Sequence, residues 1–186
     1  ARECATILLL VKPQDVSGVL EELGHHLADG AVVISLAAGV RLVALESGLP
    51  RAAVVRAMPN TPALVDLGIT AISPGESCSP HQVDYVESLL SAVGPVVRVP
   101  EELQDAVTAT SGSGPAYVFR LIEAMVEGSV DLGVPPDVAR QLVVQTVLGA
   151  ATMAARPGAD AATLRTQVTS PGGTTAAALG VFDEGD

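Results

Sequence analysis

The sequence predicts an α/β domain followed by an all-α one, divided near Pro100 into residues 1–100 and 101–186. Three observations lead there. Short continuous runs of branched apolar residues alternate with helical stretches in the first half, which is the pattern of parallel strands buried on both faces of an open sheet. After Pro100 the strand-like runs stop and three or four helical segments follow. The hydrophobic content is 48% with only 2% aromatic residues, so the core is built from Ala, Val, Leu and Ile.

Element by element, "TILLLVKP" from Thr6 is a buried strand ended by Pro13, and a helix follows from Asp15 to about Leu27. "AVVISLAAG" is a second strand that stops at the small residues Ala37, Ala38 and Gly39, with a short helix after it to Glu46. "AAVVRAMPNTP" is a third strand closed by a rigid Pro-Asn-Thr-Pro turn, because each proline fixes φ and pushes the preceding residue out of the helical region. "GITAIS" and "PVVRV" are two further strands, with a helix from Ser79 to Ser91 between them. The second half holds "SGSGPAYVFRLIEAMVEGSVDLG", stopped by Gly133, and "PPDVARQLVVQTVLGAATMAA". Both are apolar on more than one face, so each is either buried at a domain centre or shared between two subunits.

Composition excludes several functions. The formal net charge of -11 opposes binding to nucleic acid or an anionic membrane. No apolar stretch reaches membrane-spanning length, and "ILLLV" is too short for a signal sequence. Cys4 and Cys78 have neither metal-ligand nor disulfide-framework spacing, which predicts a reduced, cytoplasmic protein without a metal site. His25 and His26 close an amphipathic helix and are assigned no role. The chain opens on Ala1 rather than Met and enters an apolar run almost at once, which predicts an internal fragment.

The stretch "TSPGGTTAAALG", Thr169 to Gly180, carries the chemistry. Pro171 stiffens a turn, Gly172 and Gly173 let backbone N–H groups approach a ligand, and the Ala-rich run presents a helix N-terminus that favours an anion. A carboxylate fits, with Thr174 and Thr175 adding hydroxyls. A Gly-Gly turn before a helix is by itself more often only a loop, so the assignment needs company.

Company comes from "VKP", "SLAAGV", "AMPNTPALV", "SGSGPAYVF" and "SPGGTT" in this order and spacing, over essentially all 186 residues. Together they closely resemble the pyrroline-5-carboxylate reductase family. The resemblance implies a partial Rossmann-type dinucleotide-binding domain joined to a helical dimerisation and substrate-binding domain. It implies reduction of the small-molecule substrate 1-pyrroline-5-carboxylate, a cyclic imine carboxylate, to L-proline by hydride from NADPH or NADH, in a homodimer or a higher oligomer of dimers. Position by position, Val11, Lys12 and Pro13 match the loop lining the nicotinamide nucleotide, and Ala37 and Ala38 the small residues against which it packs. Asn60 and Thr61 match a strand-end turn facing the cleft, and Glu101 a position near the nicotinamide end. Ser170, Gly172, Gly173 and Thr174 match the carboxylate-binding loop, with the amides of Gly173 and Thr174 on the carboxylate and the Thr175 hydroxyl, the catalytic group, on the ring nitrogen.

Each position has a plain alternative. Lys12 can be a solvated strand-end charge, Ala37 and Ala38 ordinary packing, Asn60 a turn cap, and Glu101 the first acidic residue of a helix, which is the better reading of it. Ser111 to Gly114 reads as close packing rather than a flexible helix start. The chain also departs from the family pattern: the Gly-rich pyrophosphate fingerprint and the residue that selects NADP over NAD are not in it, and the final helix reads as cut short. Two alternatives follow. One is a non-catalytic remnant that only dimerises. The other is a hydroxy-acid dehydrogenase of the 6-phosphogluconate type, which needs a catalytic lysine on the helical domain, whereas no lysine follows Lys12.

Overall fold

A computed structural model describes residues 3–184. Five strands form one sheet in the order β1 (Thr6–Leu9), β2 (Val32–Ser35), β3 (Ala53–Met58), β4 (Thr70–Pro74) and β5 (Val96–Arg98). β1, β2 and β3 pair in parallel, as do β4 and β5, while β3 and β4 run antiparallel. The parallel steps follow from helical crossovers: α1 (Val16–Gly24) joins β1 to β2, α2 (Leu42–Gly48) joins β2 to β3, and α3 (Pro80–Leu90) joins β4 to β5. The antiparallel step follows from the Pro-Asn-Thr-Pro turn, which leads into a 3-10 turn over Thr61–Val65 and returns the chain beside β3.

Every residue of β2 is buried, as the apolar run predicted. Alternate side chains divide between two cores. Val33 and Val54 pack with Leu20, Leu45 and Leu49 of α1, α2 and its C-terminal end. Val32, Ile34, Val55 and Ile72 pack with Val83, Val86 and Leu90 of α3. Helices thus cover both faces of the sheet. α3 starts where expected because Ser79 and Gln82 form a reciprocal capping box followed by Pro80. α1 is shorter than the sequence reading: a 3-10 turn at Pro13–Asp15 precedes it, and it stops at Gly24 rather than Leu27.

Beyond β5 come a 3-10 turn at Glu101–Leu103, α4 (Gln104–Val107), a π-helical turn at Thr108–Gly112, α5 (Gly114–Asp131), α6 (Pro136–Ala154), α7 (Ala161–Gln167) and α8 (Thr174–Glu184). The chain falls into two compact units, Ala1–Val118 and Phe119–Asp186, so the division lies inside α5. In the first unit the buried Gln104 side chain donates to the Ser73 hydroxyl at 2.9 Å and ties α4 to β4. Gly112 is a close-packing position, as its motif suggested, but against a strand residue: a Cβ there would stand 2.5 Å from Met58 Cε. α5 and α6 keep large apolar residues exposed, including Phe119, Leu121, Leu142 and Leu148. No described helix is long and apolar enough to cross a membrane.

Candidate functional site

Six of the predicted cofactor residues, in three groups, collect at one edge of the first unit's sheet. Val11, Lys12 and Pro13 follow β1, Ala37 and Ala38 follow β2, and Asn60 follows β3, all just beyond the C-terminal ends of three parallel strands. Ligands of open α/β sheets bind outside those ends. Backbone bonds hold the edge in shape. The Leu36 N–H donates to the Leu9 carbonyl at 3.0 Å, which locks the β2 exit to the β1 exit. The Ala37 N–H faces the buried Ser35 hydroxyl oxygen at 3.4 Å, and Gly39 turns the chain with φ of 75°. Ala37 is packed in the first core and Ala38 is half-buried.

The other side chains here are employed differently from one another. Lys12 is exposed and forms no ion pair among the described residues, while its carbonyl accepts from the Asp15 N–H at 2.9 Å. The Asn60 carboxamide oxygen accepts from the Ile69 N–H at 2.9 Å, so this half of the side chain staples the turn between β3 and β4, the capping use the sequence reading held open. Its amide nitrogen keeps two donors for a ligand. Glu101 is engaged by protein groups: one carboxylate oxygen accepts from the Leu42 N–H at 2.6 Å and from the Arg56 guanidinium at 3.1 Å. These two bonds tie Glu101 to the start of α2 and to β3.

In the second unit the "SPGGTT" loop leads directly into α8 at Thr174, as expected. Gly172 has φ of 70°, a left-handed conformation open to glycine and strained for other residues. The Gly173 N–H donates to the Ser170 carbonyl at 3.1 Å and closes the turn. The Gly173 amide is thus used within the turn. The first helical bond runs from the Ala177 N–H to the Gly173 carbonyl at 3.2 Å, so helix geometry leaves the N–H groups of Thr174, Thr175 and Ala176 without intrahelical acceptors. Such a terminus presents donors and a partial positive charge that suit an anion. Thr174 and Thr175 are exposed, and neither hydroxyl makes a hydrogen bond among the described residues.

Comparison with known proteins matches residues 101–186 to the family described as pyrroline-5-carboxylate reductase dimerisation. Over its length the chain is 44% identical to the pyrroline-5-carboxylate reductase of Methanosarcina acetivorans, covering 98% of this chain and 68% of that protein. The chain belongs to the pyrroline-5-carboxylate reductase family. The reductase of Synechocystis sp. is 47% identical, with 96% of this chain and 66% of that protein covered. The chain therefore spans about two thirds of the length of these curated relatives. Among solved structures, a pyrroline-5-carboxylate reductase from Coxiella burnetii superposes with a TM-score of 0.90 at 41% identity, covering 100% of this chain and 70% of that one. Plasmodium falciparum pyrroline carboxylate reductase, solved with NADP bound, gives a TM-score of 0.92 at 30% identity over 99% of this chain and 70% of that one. The Rossmann-like sheet and the helical dimerisation domain are thus shared with this family.

Two features of the site escaped the sequence. The Glu101–Arg56 pair spans 45 residues and the Glu101–Leu42 bond 59, so no local pattern announces either. The π-helical turn at Thr108–Gly112 carries no periodicity of its own, and a charged residue inside the apolar β3 run was the only signal pointing to Arg56.

Proposed function

We propose that this chain carries the reductase chemistry of its family: conversion of 1-pyrroline-5-carboxylate to L-proline with hydride from NADPH or NADH. The observation that carries the proposal is the start of α8, where Gly172, the closed Ser170–Gly173 turn and the open amides of Thr174, Thr175 and Ala176 make a carboxylate seat with a hydroxyl beside it.

Residues 1–100 hold the dinucleotide and residues 101–186 bind substrate and dimerise. The donor set at the sheet edge fits a nicotinamide nucleotide: Ala37 and Ala38 are small enough for a flat ring to lie against the backbone, Lys12 offers a free cation, and Asn60 offers amide donors. When bound, the cofactor supplies the hydride. The chain's own residues do the rest. The α8 amides fix the substrate carboxylate. The Thr175 hydroxyl meets the ring nitrogen, where charge changes as the imine becomes an amine, so its hydrogen bond counts most in the transition state.

The apolar faces left exposed on α5 and α6 support a homodimer or an oligomer of dimers. Free Cys4 and Cys78 suit a cytoplasmic setting. The test is NADPH oxidation followed at 340 nm on addition of pyrroline-5-carboxylate. Saturable turnover by this chain supports the proposal. No turnover here, and none in a version extended to the length of its relatives, overturns it.

A further inference from the structure

α2 begins without a cap of its own. Arg41 stands at the N-cap position, makes no side-chain bond to the helix, and no acidic residue lies in the first turn. Helix starts need acceptors for their open N–H groups and favour negative charge. Glu101 supplies both from 59 residues away, with its Oε1 accepting from the Leu42 N–H at 2.6 Å.

What brings Glu101 there is Arg56. This arginine sits in the middle of the sheet, its side chain only 5% exposed, opposite Ser35 at the end of β2. A buried guanidinium requires partners. Arg56 donates through Nη1 to the same Glu101 oxygen at 3.1 Å and through Nη2 to Asp105 Oδ1 at 3.3 Å. A small cavity of about 240 Å³ lined by Arg41, Arg56, Glu101, Glu102 and Asp105 lies beside the cluster. The cluster therefore joins the sheet, α2 and the segment after β5.

Between its two fixed ends runs the turn from Leu36 to Arg41. The Leu36 N–H bond to Leu9 holds the start of the turn, and Glu101 holds its end. Ala37, Ala38 and Gly39 lie between. We propose that Glu101 and Arg56 are positioning residues that hold this turn in the shape that receives the dinucleotide. This rests on the reading of the sheet edge as the cofactor site, and it assigns Glu101 a part in cofactor binding without contact.

The experiment is a fluorescence titration of the chain with NADPH, together with amide hydrogen exchange, for wild type, Glu101→Ala and Glu101→Gln. The alanine variant removes the acceptor and the charge. The glutamine variant keeps an acceptor for Leu42 and drops the charge facing Arg56, so it guards against a variant that fails to fold. Expected is about tenfold weaker NADPH binding in Glu101→Ala and about threefold in Glu101→Gln, on the scale of one charge-assisted hydrogen bond. Exchange should rise at Leu42 to Leu45 while the amides of α3 and β4 stay protected. Wild-type affinity in both variants, or exchange that rises equally throughout the first unit, would overturn the proposal. Absence of saturable NADPH binding by wild type would overturn the reading beneath it, and the proposal with it.

Discussion

Replacing Thr175 with alanine isolates the hydroxyl assigned to the ring nitrogen. Thr175 lies in the first turn of α8, is exposed, and its hydroxyl makes no hydrogen bond among the described residues. Removing it strands no buried partner, and alanine is the better helix former by roughly 0.5 kcal/mol, so the fold should be undisturbed. The open amides of Thr174, residue 175 and Ala176 are backbone groups and remain, so carboxylate binding should change little. A hydrogen bond that strengthens as the amine forms contributes on the order of 1 to 3 kcal/mol, which predicts a roughly ten- to hundredfold fall in kcat. KM should move by only a few-fold, and Thr175→Ser should recover most of the rate. Steady-state kinetics on a variant with wild-type circular dichroism provides the assay. Wild-type kcat in Thr175→Ala, or a defect confined to KM, would refute the assignment.

Gly94→Ala tests a close backbone approach between the turns before β4 and β5. A Cβ there would stand 2.0 Å from the Gly68 carbonyl oxygen at a φ of 139°, so thermal unfolding should show a loss of about 3 kcal/mol or more; an unchanged Tm would contradict the packing. Asp160 caps α7, and its carboxyl is held below the ordinary range first by the Thr163 hydroxyl and then by the Thr163 N–H. Because the folded-state value is depressed, the contribution is present above the ordinary carboxylate range and fades as pH falls through the folded value. Fraying of α7 on acidification, followed by amide exchange, should appear in wild type and be absent from the pH profile of Asp160→Asn. Sedimentation at micromolar concentration should show a homo-oligomer, and Leu148→Asp on the exposed face of α6 should weaken it; a stable wild-type monomer would contradict an obligate interface.

The legible part of the fold was the part dictated by local burial. Val32 to Ser35 announces itself as a doubly buried strand because both of its faces meet helices, and α3 begins at the Ser79 boundary read from the sequence, where a capping box holds it. Strand direction is not a local property: nothing in "GITAIS" says that it returns antiparallel to β3, which depends on the length and conformation of the turn that Asn60 staples. The turn at Gly172 and the helix start at Thr174 were legible because backbone conformation makes them. The bonds of Glu101 to Leu42 and Arg56 were illegible because their partners are distant in sequence. The loop before α8 is a case between these: the turn was foreseen, and the Gly173 N–H bond that closes it was not.

The most direct measurement follows the hydride itself. Pyrroline-5-carboxylate is incubated with the protein and NADPH carrying deuterium at the transferable C4 position, and the proline is analysed by mass spectrometry. The account predicts proline one mass unit heavier, labelled on the former imine carbon, in amounts matching the cofactor oxidised. Cofactor oxidation without proline, or proline whose new hydrogen comes from solvent, would contradict it.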